Sequence, residues 1–259
     1  LKTPSEKIYA GFRCSGGLVL TYWVDVAKQT ASAIPGTSPG GILIVTGGIE
    51  AGTDHCLTVF DDNGIKVWLQ VEPYGASIDQ LIDVVLGQYG HHPCVLGFGI
   101  DLEWRRPYSN VTDEEAKRWL NKTKQYNPDF KLFLKHWLTE VMPPTARENI
   151  VFIDDSQRFG PDGLDSMVNE FKRWGKHFSE TDVGFQIGYE SDEGWWSQLE
   201  NPPRDIGSAL IENIPNCRFI FWVNFTILDV FPFSTQSSAG STVAMACIAH
   251  PMRKDTHAY

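Results

Sequence analysis

The chain has 259 residues, of which 42% are hydrophobic and 21% charged, and its formal net charge is −10 at pH 7. This composition can build a sizeable core and excludes a disordered chain. The acidic surplus, with no basic stripe, argues against nucleic acid and anionic membranes as partners, and no apolar run is long enough to cross a bilayer.

Taken in chain order, apolar strand patterns alternate with helix-like segments. A strand over Ile8 to Arg13 precedes a helix over Tyr22 to Ala33. A strand over Ile42 to Thr46 leads into a short, weakly helical connection near Asp54 to Asp61. Lys66 to Glu72 is a strand, followed by a helix over Ile78 to Tyr89. The strand Cys94 to Glu103 is followed by a helix over Thr112 to Tyr126, whose opening Thr112-Asp-Glu-Glu115 has capping-box form. Lys131 to Leu138 and Ile150 to Asp155 are strands separated by a second weak connection, near Pro144 to Asn149. A helix over Asp162 to Phe178 carries Leu164, Met167, Val168, Phe171 and Trp174 on one face. Strand Val183 to Glu190, helix Pro203 to Ile214, strand Phe219 to Phe225 and helix Ser238 to Ala249 complete the series.

Eight strands joined by crossovers predict an α/β fold, a single (β/α)8 TIM barrel over residues 1–259. An open doubly wound sheet would carry a glycine-rich phosphate turn after its first strand. Ser15-Gly16-Gly17 lacks that pattern.

Active sites of such barrels form where the strands end, from residues of inward parity. On the fourth strand Gly97, Gly99, Asp101 and Glu103 share one parity, and Phe98, Ile100 and Leu102 share the other. Two carboxylates facing a barrel interior are costly unless paired, so stability does not explain them. Other strands also end in polar groups: Gln70 and Glu72 on the third, Lys135, His136 and Trp137 on the fifth, Asp154 and Asp155 on the sixth. The seventh offers Gln186, Tyr189 and Glu190, and the eighth Trp222 and Asn224. Carboxylates, amides and rings together suit a carbohydrate. Rings stack on sugar faces, amides bind hydroxyls and one acid cleaves.

Gly97-Phe-Gly-Ile-Asp-Leu-Glu103 resembles the strand-4 signature D-x-x-D-x-D-x-E of family 18 glycoside hydrolases, the chitinases and endo-β-N-acetylglucosaminidases. The match is partial, because Gly99 stands where the family has a further Asp. The resemblance implies Glu103 as catalytic acid, Asp101 as the residue orienting the substrate acetamido group, and Trp222 as the floor of the sugar subsite. Asp155 and Gln186 fall where that family has polar residues on strands 6 and 7. The implied reaction is substrate-assisted retention on an N-acetylhexosamine polymer or glycan, an exception to the two-carboxylate rule.

Three rival readings stand beside it. A two-carboxylate retaining glycosidase would use Glu103 as acid/base and Glu190 as nucleophile, although Leu102 replaces the Asn usual before such a Glu. A non-catalytic lectin, storage or inhibitor protein would use the same barrel only to bind sugar. A metal-dependent hydrolase would gather Glu72, Asp101, Glu103 and Asp155. The sequence favours no cofactor and no metal, with His91-His92 read as a helix end because adjacent histidines seldom share an ion. A monomer is expected. Secretion is expected from the sequons at Asn110, Asn121 and Asn224 and from the start at Leu1 rather than Met, with Asn224 buried by its inward parity. Five cysteines permit up to two disulfides with one thiol left over.

Overall fold

The computed structural model describes residues 7–14, 20–45 and 52–232. Eight parallel strands close in sequence order: β1 (Ile8–Cys14), β2 (Thr37–Ile44), β3 (Lys66–Val71), β4 (Val95–Asp101), β5 (Lys131–Lys135), β6 (Ile150–Asp154), β7 (Val183–Ile187) and β8 (Cys217–Val223). The helices are α1 (Leu20–Ala33), α2 (Thr53–Asn63), α3 (Ile78–Tyr89), α4 (Asp113–Tyr126), α5 (Gly163–His177), the four-residue α6 (Glu193–Trp196), α7 (Pro202–Asn213) and the four-residue α8 (Ile227–Val230). The barrel read from the sequence is therefore the observed one. The helix expected over 238–249 lies outside the described residues.

Local chemistry explains most element ends. Thr112 caps α4 and Glu115 returns the bond to the Thr112 N–H, completing the capping box. Gly64 ends α2 in the left-handed conformation, which lacks a steric penalty only for glycine. The weak second connection is a full helix, and the fifth holds only a single 3-10 turn, Thr139–Val141. β2 begins at Thr37, earlier than read, since its Pro39-Gly40-Gly41 looks like a turn in sequence but pairs with β1 and β3.

Alternation divides the apolar residues into two cores. Ile42, Ile44, Trp68, Phe133, Val151, Ile153, Phe219 and Phe221 form the plug inside the barrel. The opposite parity, including Phe12, Leu69, Phe98, Ile100, Leu134, Phe152, Phe185 and Trp222, packs beneath the helices. Trp68 centres the plug, edge-on to Phe133 and Phe219 at 5.3 Å from each ring centre. A side chain at Gly99 would enter the Phe133 ring. That ring fills the place where the family signature has its additional Asp. Gly97, at φ 152°, takes a conformation that glycine tolerates, at a shift in the β3–β4 register.

Candidate active site

Above the plug the inward residues turn polar. Arg13, Gln70, Asp101, Lys135, Asp155 and Gln186 lie within one residue of the ends of six strands, and all six are buried. Lys135 is the hub. Its Nζ lies 2.9 Å from Asp101 Oδ2 and 3.9 Å from Glu103 Oε2, and it makes a short contact with Asp155 Oδ2. Burial alone would lower the pKa of this ammonium, but the carboxylates of Asp101 and Asp155 outweigh it and hold the group well above its usual range. Lys135 is thus a fixed cation and is unsuited to act as a neutral amine nucleophile.

Asp101 is fully enclosed. Its Oδ1 accepts from the Glu103 N–H at 3.2 Å, and its Oδ2 accepts from Gln70 Nε2 at 3.4 Å as well as from Lys135. Burial raises its pKa to about 6 against the pull of Lys135. Its bonds fix the turn Leu102–Trp104, in which Glu103 sits with 25% of its side chain exposed. The strand ends at Asp101, so the turn, not strand parity, aims Glu103 at the hub. Asp101 is closed off from solvent, and Glu103 is the carboxylate of this cluster that solvent reaches.

Arg13, which the sequence reading did not single out, faces the mouth from β1. Its guanidinium lies 3.6 Å from Glu72 Oε1, donates to Asn224 Oδ1 at 3.5 Å and sits over the Phe225 ring at 5.5 Å. Glu72 therefore pairs with Arg13 rather than joining the acids at Lys135. Four carboxylates around one metal ion, the third rival, is not what the structure brings together.

On β7, Gln186 faces inward and its Oε1 accepts from Tyr189 Oη at 3.2 Å. Burial and then Asp155 raise the Tyr189 pKa, which keeps the phenol neutral. Glu190, the next residue, is exposed, and no side-chain hydrogen bond or ion pair from the described residues holds it. The seventh strand thus gives the cluster a phenol, where the sequence reading placed a nucleophilic carboxylate.

Trp222 is corrected. Its parity is that of Phe12 and Ile187, with which it pairs, so it points outward; its ring meets Trp196 at 5.2 Å and its Nε1 donates to Thr226 Oγ1 at 2.9 Å. It is 1% exposed and cannot floor a sugar site. The ring that β8 presents at the rim is Phe225, which is exposed. Asn224, expected to be buried, is half-buried because the strand has already ended at Val223. Trp137 stacks on His136 at 4.1 Å and lines a groove of about 290 Å³ between the β5–β6 connection and α5, away from the Lys135 contacts. Tyr74 and Trp104 pack together at 5.0 Å beside Glu103, an aromatic pair that strand parity could not foresee.

Four buried polar atoms of the inward-facing residues here have no hydrogen-bond partner among the described residues: Arg13 Nε, Gln70 Oε1, Asp155 Oδ1 and Gln186 Nε2. Two are donors and two are acceptors. Groups left this way normally find a partner outside the chain, and a mixed set matches hydroxyls, which both donate and accept.

No protein-family model matches the chain, nor does any curated protein. Among solved structures it is similar to the β-D-glucuronidase of Dictyoglomus thermophilum (TM-score 0.58, 10% identity) and to a β-glucuronidase of an uncultured Clostridium sp. (0.54, 10%). It is also similar to a GH2 β-galacturonidase from Eisenbergiella tayi bound to galacturonate (0.51, 12%). These matches cover 83%, 84% and 84% of this chain but 43% of each of those proteins, so the chain spans less than half their length. At such identity the likeness establishes the barrel fold and nothing beyond it.

Proposed function

We propose that this protein is a retaining glycoside hydrolase acting on an oligo- or polysaccharide, with Glu103 as acid/base. The observation that carries the reading is the ring of unpartnered donors and acceptors beside the one hub carboxylate open to solvent. That ring would take sugar hydroxyls, and Glu103 would then lie within reach of a glycosidic oxygen. The shared barrel of proteins named as glucuronidases and a galacturonidase supports the same class of reaction.

The second carboxylate is Asp155. Glu103 and Asp155 approach the same ammonium, so their nearest oxygens are separated by no more than about 6.5 Å. Retaining enzymes need about 5–5.5 Å and inverting ones more room for a water. Lys135 holds Asp155 through Oδ2 and leaves Oδ1, which has no hydrogen-bond partner among the described residues, as the oxygen to attack. In the first step Glu103 protonates the leaving oxygen while Asp155 attacks the anomeric carbon. In the second, Glu103 takes a proton from water, which releases the sugar from Asp155.

Substrate-assisted retention would instead require Asp101 to touch the acetamido group and Trp222 to floor the sugar. Both Asp101 oxygens are already taken, by Lys135, Gln70 and the Glu103 N–H, and Trp222 faces the helices. The test is hydrolysis of matched N-acetylated and unacetylated disaccharides by wild type, Glu103→Gln and Asp155→Asn. Activity on both series, with kcat/KM reduced by about 10²–10⁴-fold in each variant, is expected. Turnover confined to N-acetylated substrates would restore the substrate-assisted route. Sugar binding by equally inert wild-type and Glu103→Gln proteins would make this a lectin-like protein.

A further inference from the structure

A second cluster lies apart from the Lys135 contacts, where α2 meets the turn that enters β4. There Asp54, His91 and His92 place three ligand atoms within 4.8 Å of one another. The His92 side chain is only 6% exposed, with Nδ1 2.7 Å from Asp61 Oδ2 and Nε2 3.1 Å from Asp54 Oδ1. Asp61 is itself held by the Cys94 N–H at 2.5 Å.

A carboxylate can only accept. The proton of a neutral His92 goes to Nδ1, where the anchored Asp61 receives it, and the Nε2 lone pair then points at Asp54, another acceptor. Two acceptors 3.1 Å apart call for a cation between them or a second proton on the ring. His91 favours the cation. Its ring lies tilted against His92 at 4.3 Å, and its Nε2 comes to 3.9 Å from the same Asp54 oxygen. Neighbouring ligands on a tetrahedral zinc ion are about 3.4 Å apart, given Zn–N and Zn–O bonds near 2.1 Å. The 3.1 Å His92–Asp54 pair is close to that, and the His91 and Asp54 side chains are 66% and 65% exposed, so both can turn to bring in the third ligand. A ligand histidine whose other nitrogen donates to a fixed carboxylate is the usual outer-shell arrangement of a metal site.

We propose that Asp54, His91 and His92 bind one divalent transition-metal ion of the zinc type, with water completing the shell and Asp61 orienting His92. Imidazole and carboxylate together suit such an ion better than magnesium or calcium, which prefer all-oxygen shells. The ion would pin the first turn of α2 to the entry of β4. This role is structural and independent of whether the barrel mouth hydrolyses sugars.

The experiment strips the full chain with a chelator and titrates Zn²⁺ at fixed pH against a chromogenic competitor. One equivalent should bind to wild type and to Asp101→Asn. His91→Ala and Asp54→Ala should each lose at least tenfold in affinity, and Asp61→Asn about 10–100-fold. Zinc should raise the melting temperature of wild type but not of His91→Ala, whose metal-free melting temperature should match wild type because the lost side chain is exposed. Absence of zinc uptake by wild type, or unchanged affinity in both His91→Ala and Asp54→Ala, would overturn the proposal.

Discussion

The interior of this barrel holds two layers built from the same strands, two residues apart. The lower layer has Trp68, Gly99, Phe133, Ile153 and Gly184, and the upper layer has Gln70, Asp101, Lys135, Asp155 and Gln186. Both layers are buried, yet the lower is closely packed and the upper keeps buried polar atoms with no partner. A layer selected for stability alone would resemble the lower one, since a buried ion cluster is seldom worth more than well-packed apolar side chains. The contrast implies that the upper layer is maintained for what it binds.

The sharpest way to break that comparison is at Lys135. Lys135→Met removes the cation that pairs with both Asp101 and Asp155 and should cost about 3–5 kcal/mol in urea denaturation. Lys135→Met combined with Asp101→Leu and Asp155→Leu removes the stranded charges as well and should regain most of that loss while remaining inactive. If the triple variant were no more stable than the single one, the upper layer would be structural and the argument from its cost would fail.

The lower layer is tested at Phe133, whose ring is fully buried between Trp68 and Gly99. Phe133→Ala should cost about 3–5 kcal/mol, because the site cannot collapse onto the space left. KM should be little changed wherever the protein remains folded. A large rise in KM at near-native stability would mean that the two layers are not distinct.

His136 follows the upper-layer Lys135, just past the end of β5. It is buried, its Nδ1 accepts from the Leu138 N–H at 3.0 Å, and burial lowers its pKa to about 4, with Asp155 opposing the shift. A pKa depressed on folding contributes stability that is whole above the unfolded value near 6.5 and is lost as pH falls towards 4. Asp101 has the opposite sign: raised to about 6, it contributes stability below its unfolded value that is lost as pH rises through 6. The difference between wild type and His136→Gln, which removes one titration and retains the other, should shrink by about 3 kcal/mol between pH 7 and pH 4. A difference that stayed flat with pH would show that His136 is already charged in the fold.

How much of this was legible in sequence depends on how many faces each strand must bury. β4 alternates small or acidic residues with large apolar ones, so its parity is readable, and Phe98, Ile100 and Asp101 lie where the pattern puts them. β8 carries Phe219, Ile220, Phe221, Trp222 and Val223 in succession, which buries both faces and hides which is which, hence the error at Trp222. Lys135 and Arg13 are visible as strand-end cations, but their role comes from partners on other strands, up to 211 positions away for the Arg13–Asn224 bond. Spacing along one strand cannot report that. The tilt of Glu103 towards Lys135 arises in a turn after the strand, where period-two alternation no longer applies.

The smallest effect expected on stability is at Gln186, and it bears most directly on the comparison. Its Oε1 accepts from Tyr189 while its Nε2 is buried without a partner among the described residues, so only one of its two polar atoms is bonded. Leucine has a similar volume, and with Tyr189→Phe beside it no donor is left stranded. Replacing both partners of a hydrogen bond by apolar groups is near neutral for folding, within about 1 kcal/mol. The Nε2 donor is nevertheless one of the four atoms assigned to sugar hydroxyls, and a site that loses such a donor leaves a substrate hydroxyl unpaired on binding. Gln186→Leu combined with Tyr189→Phe should therefore keep the wild-type urea midpoint to within that margin while raising KM for a disaccharide by about tenfold, the equivalent of one net hydrogen bond. Should stability fall by several kcal/mol with KM unchanged, Gln186 would belong to the packed layer, and the two-layer division would lose the residue on which it is most finely balanced.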